Sequence, residues 1–164
     1  MDIPKIRSII DLLPKTDTKR EIFLKVFLAD WKHALTTGLQ ITDIDWIYGI
    51  HGPESEELKN LLNSEYDNRP ECEPSSIVAV IQKLFNCDEE HGEDSLLIES
   101  EKSSVSHVLG VTKDYGFADL IKLVYSVRPI IYSNNSHLGQ IIDLPAIAAN
   151  QHAEDEERLE RMIA

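Results

Sequence analysis

The chain has 164 residues, of which 42% are hydrophobic and 27% charged, a composition that supports a packed core and argues against wholesale disorder. Its net charge of −13 is concentrated: residues 54–101 hold fourteen acids against three bases, whereas residues 1–53 balance at seven each and residues 102–164 hold eight against six. Nothing here offers the Lys/Arg stripe that phosphate contacts need, and no apolar run approaches the roughly 20 residues that cross a bilayer, so neither nucleic acid nor membrane is an expected partner.

The first residues, Met1-Asp2-Ile3-Pro4, lack the basic-then-apolar layout of a secretory leader. Two cysteines, Cys72 and Cys87, are too few for a disulfide framework and are expected to be reduced thiols. A cytoplasmic location follows from both readings.

Along the chain, Ile3, Ile6, Ile9, Ile10 and Leu13 form the stripe of an amphipathic helix, with Asp2 placed to cap it and Pro4 in its first turn. Pro14 stops it. Thr16 or Thr18 opens a second helix running to about Leu35, apolar nearly all the way round from Ile22 to Trp31. A helix without a polar face is packed on several sides, so this one is expected at the centre, and Gly38 is its terminator.

The period then changes. Ile44, Trp46, Tyr48 and Ile50 alternate as a short strand does. Gly52-Pro53 is expected to end that strand and to begin a helix, with Pro53 in its first turn and Leu58, Leu61 and Leu62 facing inward. Residues 64–74 read as a loop, and Ser75 or Ser76 caps a helix bearing Ile77, Val80, Ile81, Leu84 and Phe85. Leu96-Leu97-Ile98 fits either a short strand or the start of a helix. Helices carrying Val105 and Val108, and then Leu120 and Val124, are expected to end before Gly116 and at Arg128-Pro129. Pro145 is read as a break, and Ala153 to Ile163 as a charged helix. The fold class is therefore mainly α: a compact multi-helix domain over residues 1–150, built around a central apolar helix with a small β element, followed by a charged helix or tail over 151–164.

Signatures of catalysis are lacking. The seven glycines are scattered without a phosphate loop, Cys87 and His91 have no second pair to complete a zinc site, and no nucleophile carries flanking residues of a known type. No enzyme, cofactor or metal is expected. His33 suits a hydrogen-bonded core position. His51, at the corner His51-Gly52-Pro53, suits a turn more than a catalytic base, although a site there stays open as an alternative.

The stretch from Phe27-Leu28-Ala29-Asp30-Trp31-Lys32-His33 through Gly38 to Trp46 and His51-Gly52-Pro53 resembles the Panacea, or SocA-like antitoxin, domain. In that family a helix bearing a lysine and an Ala-Asp pair leads through a glycine and a short β segment to a His/Tyr-Gly-Pro corner. Val108 to Tyr115-Gly116, followed by Ala118 to Pro129-Ile130, resembles its later part, and the likeness spans about residues 19–131. The resemblance implies a binding protein that neutralises a cognate toxin by direct contact. Toxins vary across the family and several stop translation. Other members are phage- or mobile-element accessory proteins, and at least one delivers its toxin to a protease.

For such a partner, residue type nominates Trp46, Tyr48, Tyr125, Arg128 and Tyr132 as contacts, with His51 at the corner. Trp46 and Tyr48 are equally suited to covering the central helix. Glu89, Glu90, Glu93 and Asp94 nominate themselves as the steering field for a basic toxin, or simply as a solubilising loop. Association into homo-oligomers is compatible with this reading.

Overall fold

A computed structural model describes residues 1–66, 96–133 and 137–163. Of the loop expected over residues 64–74 only 64–66 are described, and there a helix runs on to Glu65; the rest of that loop and the helix expected after it lie outside the described residues. Helix α1 spans Ile3–Leu12, with the Asp2 side chain accepting from the Lys5 N–H at 3.1 Å, and turns Ile6, Ile9 and Ile10 inward. Helix α2 spans Lys19–Thr37. Thr18 and Glu21 form a reciprocal cap, the Thr18 hydroxyl accepting from the Glu21 N–H at 3.2 Å and the Glu21 carboxylate from the Thr18 N–H at 2.8 Å. At the other end Gly38 takes φ +77°, a left-handed conformation cheap only for glycine, and its N–H closes on the Ala34 carbonyl.

Helix α2 is the centre of the fold, as its apolar circumference requires. Ile22, Val26, Phe27 and Ala34 have no exposed surface, and helices α1, α3 (Glu56–Glu65), α4 (Glu99–Thr112), α5 (Phe117–Ser126) and α7 (Leu144–Ile163) all pack on it. Its buried polar groups are paired: Lys25 Nζ meets Asp17 Oδ2 at 2.6 Å, and His33 Nδ1 lies 3.2 Å from the Ser104 hydroxyl of α4. A nearby ion pair, Lys5 to Glu101 at 2.5 Å, ties α1 to α4.

The β element is larger by one strand than the alternation of residues 44–50 suggests. Strands β1 (Ile47–Gly49) and β2 (Gly52–Glu54) pair antiparallel, with Ile47 opposite Glu54 and Gly49 opposite Gly52. Ile141 bridges to Ile47 on the far side of β1, and Tyr48 exchanges backbone hydrogen bonds with residues 139 and 140. Pro53 therefore sits in a strand rather than in a helix; its missing N–H is harmless in a strand this short, at the sheet edge. Helix α3 starts three residues later, at Glu56, under a Ser55 cap, and Leu58, Leu61 and Leu62 face inward as expected. Ile50 falls in the hairpin turn and is 73% exposed, so the alternating pattern ends at Tyr48.

Three further boundaries differ from expectation. Residues 96–98 are neither strand nor helix: Leu97 anchors an extended lead-in and Ile98 is the N-cap of α4, its N–H received by Glu101. Arg128-Pro129 restarts the helix instead of ending it. Val127 takes an extended conformation between α5 and α6 (Arg128–Ser133), and Pro129 then falls in the first turn of α6, where its missing N–H costs nothing. Pro145 stands in the first turn of α7, where a helix needs no N–H from it, so it begins a helix of twenty residues.

Candidate interaction surface

Packing sorts the nominated residues into two groups. Trp46 is fully buried. Its indole stands edge-on to Phe23 and Phe27, with centroids 5.5 and 5.1 Å away, and its N–H donates to Asp30 Oδ2 at 2.9 Å. Asp30 is itself without exposed surface and accepts three more hydrogen bonds: from the Ile41 and Thr42 N–H groups at 3.0 and 3.1 Å, and from the Thr42 hydroxyl at 2.5 Å. Burial pushes the Asp30 carboxyl above its ordinary range, and these donors pull it back. Tyr48, 9% exposed, also belongs to the core. Trp46 and Tyr48 thus cover the central helix, the second of the two roles open to them, and a partner would reach the indole only by opening the core.

The others lie outside, in two sets. The hairpin turn presents Ile50 and His51, both exposed, and the His51 ring makes no hydrogen bond among the described residues. Gly52 follows at φ +108°, and a β-carbon there would stand 3.8 Å from the Tyr125 ring, so the α5 tyrosine covers the corner of the hairpin. Tyr125 remains 43% exposed. Three residues on, at the start of α6, Arg128 forms a salt bridge with Glu154 of α7. The Tyr132 hydroxyl donates to the second oxygen of the same carboxylate at 2.7 Å, and the Arg128 guanidinium lies 5.9 Å from the Tyr132 ring centroid. Hydrogen bonding to Glu154 holds the Arg128 and Tyr132 protons more tightly than usual, and the same bonds, Tyr132 first, lower the Glu154 carboxyl.

Arg128, Tyr132 and Glu154 present an aromatic ring beside one internally neutralised ion pair, and Tyr125 with the hairpin turn presents exposed apolar area of its own. Such a surface can bury against a protein without stranding a charge. Glu154 was missed from sequence because it lies 26 residues from Arg128 in a stretch rich in acids; nothing local distinguishes it from its neighbours. Glu89, Glu90, Glu93 and Asp94 lie outside the described residues. Among the described residues no group of three or more His, Cys, Asp or Glu side chains is placed to hold a metal, and no helix is long and apolar enough to cross a membrane.

No curated protein and no solved structure matches the chain. A family model does. Residues 25–129, from the first third of α2 to the start of α6, match the description "Antitoxin SocA-like, Panacea domain". The match takes in the Asp30 core, the hairpin corner and Tyr125. The chain thus belongs to the SocA-like antitoxin family and carries its Panacea domain over residues 25–129.

Proposed function

We propose that this protein is a cytoplasmic antitoxin that neutralises a cognate toxin by direct contact through the surface formed by His51, Tyr125, Arg128 and Tyr132. The observation that supports the reading is the packing of Tyr125 over the Gly52 corner: two residues far apart in sequence meet at the surface, inside the segment that matches an antitoxin family. Membership in the family supports the class of activity, and the exposure of these residues suits them to contact. The acid excess of residues 54–101 would accelerate encounter with a basic toxin, since a single-sign field steers opposite charge and is screened within about 10 Å at 0.1 M salt.

The test is co-expression with the protein encoded beside this chain's gene, scored by growth and by co-purification. Rescue of growth together with a stable complex supports the reading. A neighbour that is toxic but neither bound nor neutralised sinks it.

A further inference from the structure

Residues 139–154 lie beyond the segment that matches the family, yet they bind the rest of the domain at three places. At the first, the chain runs beside β1. The Tyr48 N–H donates to the Gln140 carbonyl at 2.8 Å, the Gly139 N–H to the Tyr48 carbonyl at 2.9 Å, and the Ile142 N–H to the Trp46 carbonyl at 2.7 Å. At the second, Ile142, Leu144 and Ala148 enter the core as α7 packs along α2. At the third, His152 Nε2 lies 2.7 Å from the Leu35 carbonyl at the end of α2, and Glu154 takes the Arg128 guanidinium and the Tyr132 hydroxyl on its two oxygens.

The two ends of this segment serve the two sets of candidate contacts. A hairpin of two three-residue strands is marginal by itself, so the bonds to residues 139–142, with the Asp30 anchor behind, fix the direction of the tip that carries His51. Helix α6 has only six residues and little stability of its own, and the carboxylate from α7 fixes its Arg128 and Tyr132 side chains. Between the ends, Leu144 and Ala148 are four residues apart on one face of α7 and expose no surface.

We propose that residues 139–154 form a positioning strap, one element whose buried middle holds the hairpin tip and the Arg128–Tyr132 pair in a fixed relation, so that lifting it loosens both sets together. A helix is stiff along its axis, which is why displacing its anchored face moves both of its ends. Glu154 is a positioning residue at one end and Ile142 at the other. Because the strap is not part of the matched segment, it gives this chain its own setting of residues that the family segment carries. Its bearing on a partner rests on the antitoxin reading; the coupling between its ends does not.

The experiment lifts the middle of the strap in the full chain and reads both ends by NMR. Leu144→Ala leaves a cavity, and Ala148→Asp puts a carboxylate into the contact with α2. Each is expected to speed hydrogen exchange of the Tyr48 and Ile142 amides about tenfold or more relative to the Phe27 amide inside α2. Each is also expected to lower the Tyr132 hydroxyl titration towards that of free tyrosine, since its bond to Glu154 raises it. Glu154→Ala, at one end, should shift the Tyr132 titration alone. If Ala148→Asp does not fold, Leu144→Ala carries the test. Loosening at one end only, at neither end, or to the same degree at Phe27 overturns the strap.

Binding to the protein encoded by the adjacent gene should then weaken about tenfold or more in the variants of the middle. Wild-type affinity in a variant whose two ends have loosened overturns the role in recognition and leaves the antitoxin reading intact. Failure of the wild-type chain itself to bind removes that reading, and the exchange and titration results still decide the coupling.

Discussion

The indole N–H of Trp46 donates to the carboxylate of Asp30 across 2.9 Å, in a region from which both residues expose no surface. Two more contacts on that carboxylate come from the backbone at Ile41 and Thr42, so one aspartate on α2 receives the chain as it returns from the Gly38 cap and fixes where β1 begins. The aromatic ring seals the site against Phe23 and Phe27. The hairpin is positioned from behind by this buried anchor, which leaves its tip free to face outward.

Removing the anchor should be severe. Asp30→Ala strands two backbone N–H groups and an indole N–H in the core, and is expected to cost about 3–5 kcal/mol in denaturant unfolding. Asp30→Asn keeps one accepting oxygen but turns an NH2 toward two of the donors, so it should fall between alanine and wild type. An alanine variant with native stability would show that residues 41–46 are held by something else.

The central helix gives a second expectation. Phe27 has no exposed surface and packs against Trp46, so Phe27→Ala should lose about 3–5 kcal/mol from lost burial and the cavity left behind. Leu28→Ala should lose about 2–5 kcal/mol. Native-like melting of both variants would place α2 at the periphery and contradict the packing described.

At the corner, backbone conformation matters more than the neighbouring side chain. Gly52 holds φ +108°, where a side chain is strained, and Gly52→Val should cost about 1–3 kcal/mol. His51→Ala, in an exposed turn, should stay within about 0.5 kcal/mol of wild type. If His51→Ala instead abolishes neutralisation while the melting temperature holds, His51 is a direct contact of the partner.

The two groups of aromatic residues should separate in a binding assay. Tyr125→Ala and Tyr132→Ala are expected to lose about 2 kcal/mol or more of partner affinity with little change in stability, the behaviour of exposed hot spots. Trp46→Ala should lower the melting temperature first and affinity only as a consequence. The reverse ranking would mean that the partner opens the core on binding.

Acid should weaken the fold through His33. Burial holds this imidazole below its usual value, against the attraction of Glu101 and with added repulsion from Lys5. A group whose folded pKa lies below the unfolded one of about 6.5 is more easily protonated when unfolded. Stability that depends on neutral His33 is therefore complete above about pH 6.5 and declines as pH falls below it. Denaturant midpoints taken from pH 8 to 5 should drop along this limb, and His33→Gln should flatten it. An equally steep limb in the glutamine variant would assign the effect to other groups.

The helical class, the central place of α2 and its Gly38 stop were legible in the sequence, because each depends on local spacing: an apolar circumference and a glycine after it; the start stayed open between Thr16 and Thr18 until the reciprocal cap with Glu21 selected Thr18. The Panacea resemblance was legible for the same reason, as a series of short motifs in order. Proline was read less well. Pro53 and Pro145 each satisfy more than one local rule, and whether a proline ends one element or opens the next depends on what packs around it. Which of the candidate residues lie at the surface was decided by tertiary structure. Trp46 and Tyr125 look equally suited to recognition by type, yet Asp30 draws one inward while the Gly52 corner leaves the other at the surface. Glu154 joined Arg128 and Tyr132 only because α7 returns across the end of α2. Local spacing sets which helices form. Which side chains remain outside depends on contacts between residues distant in sequence, and a period of three and a half residues carries no record of them.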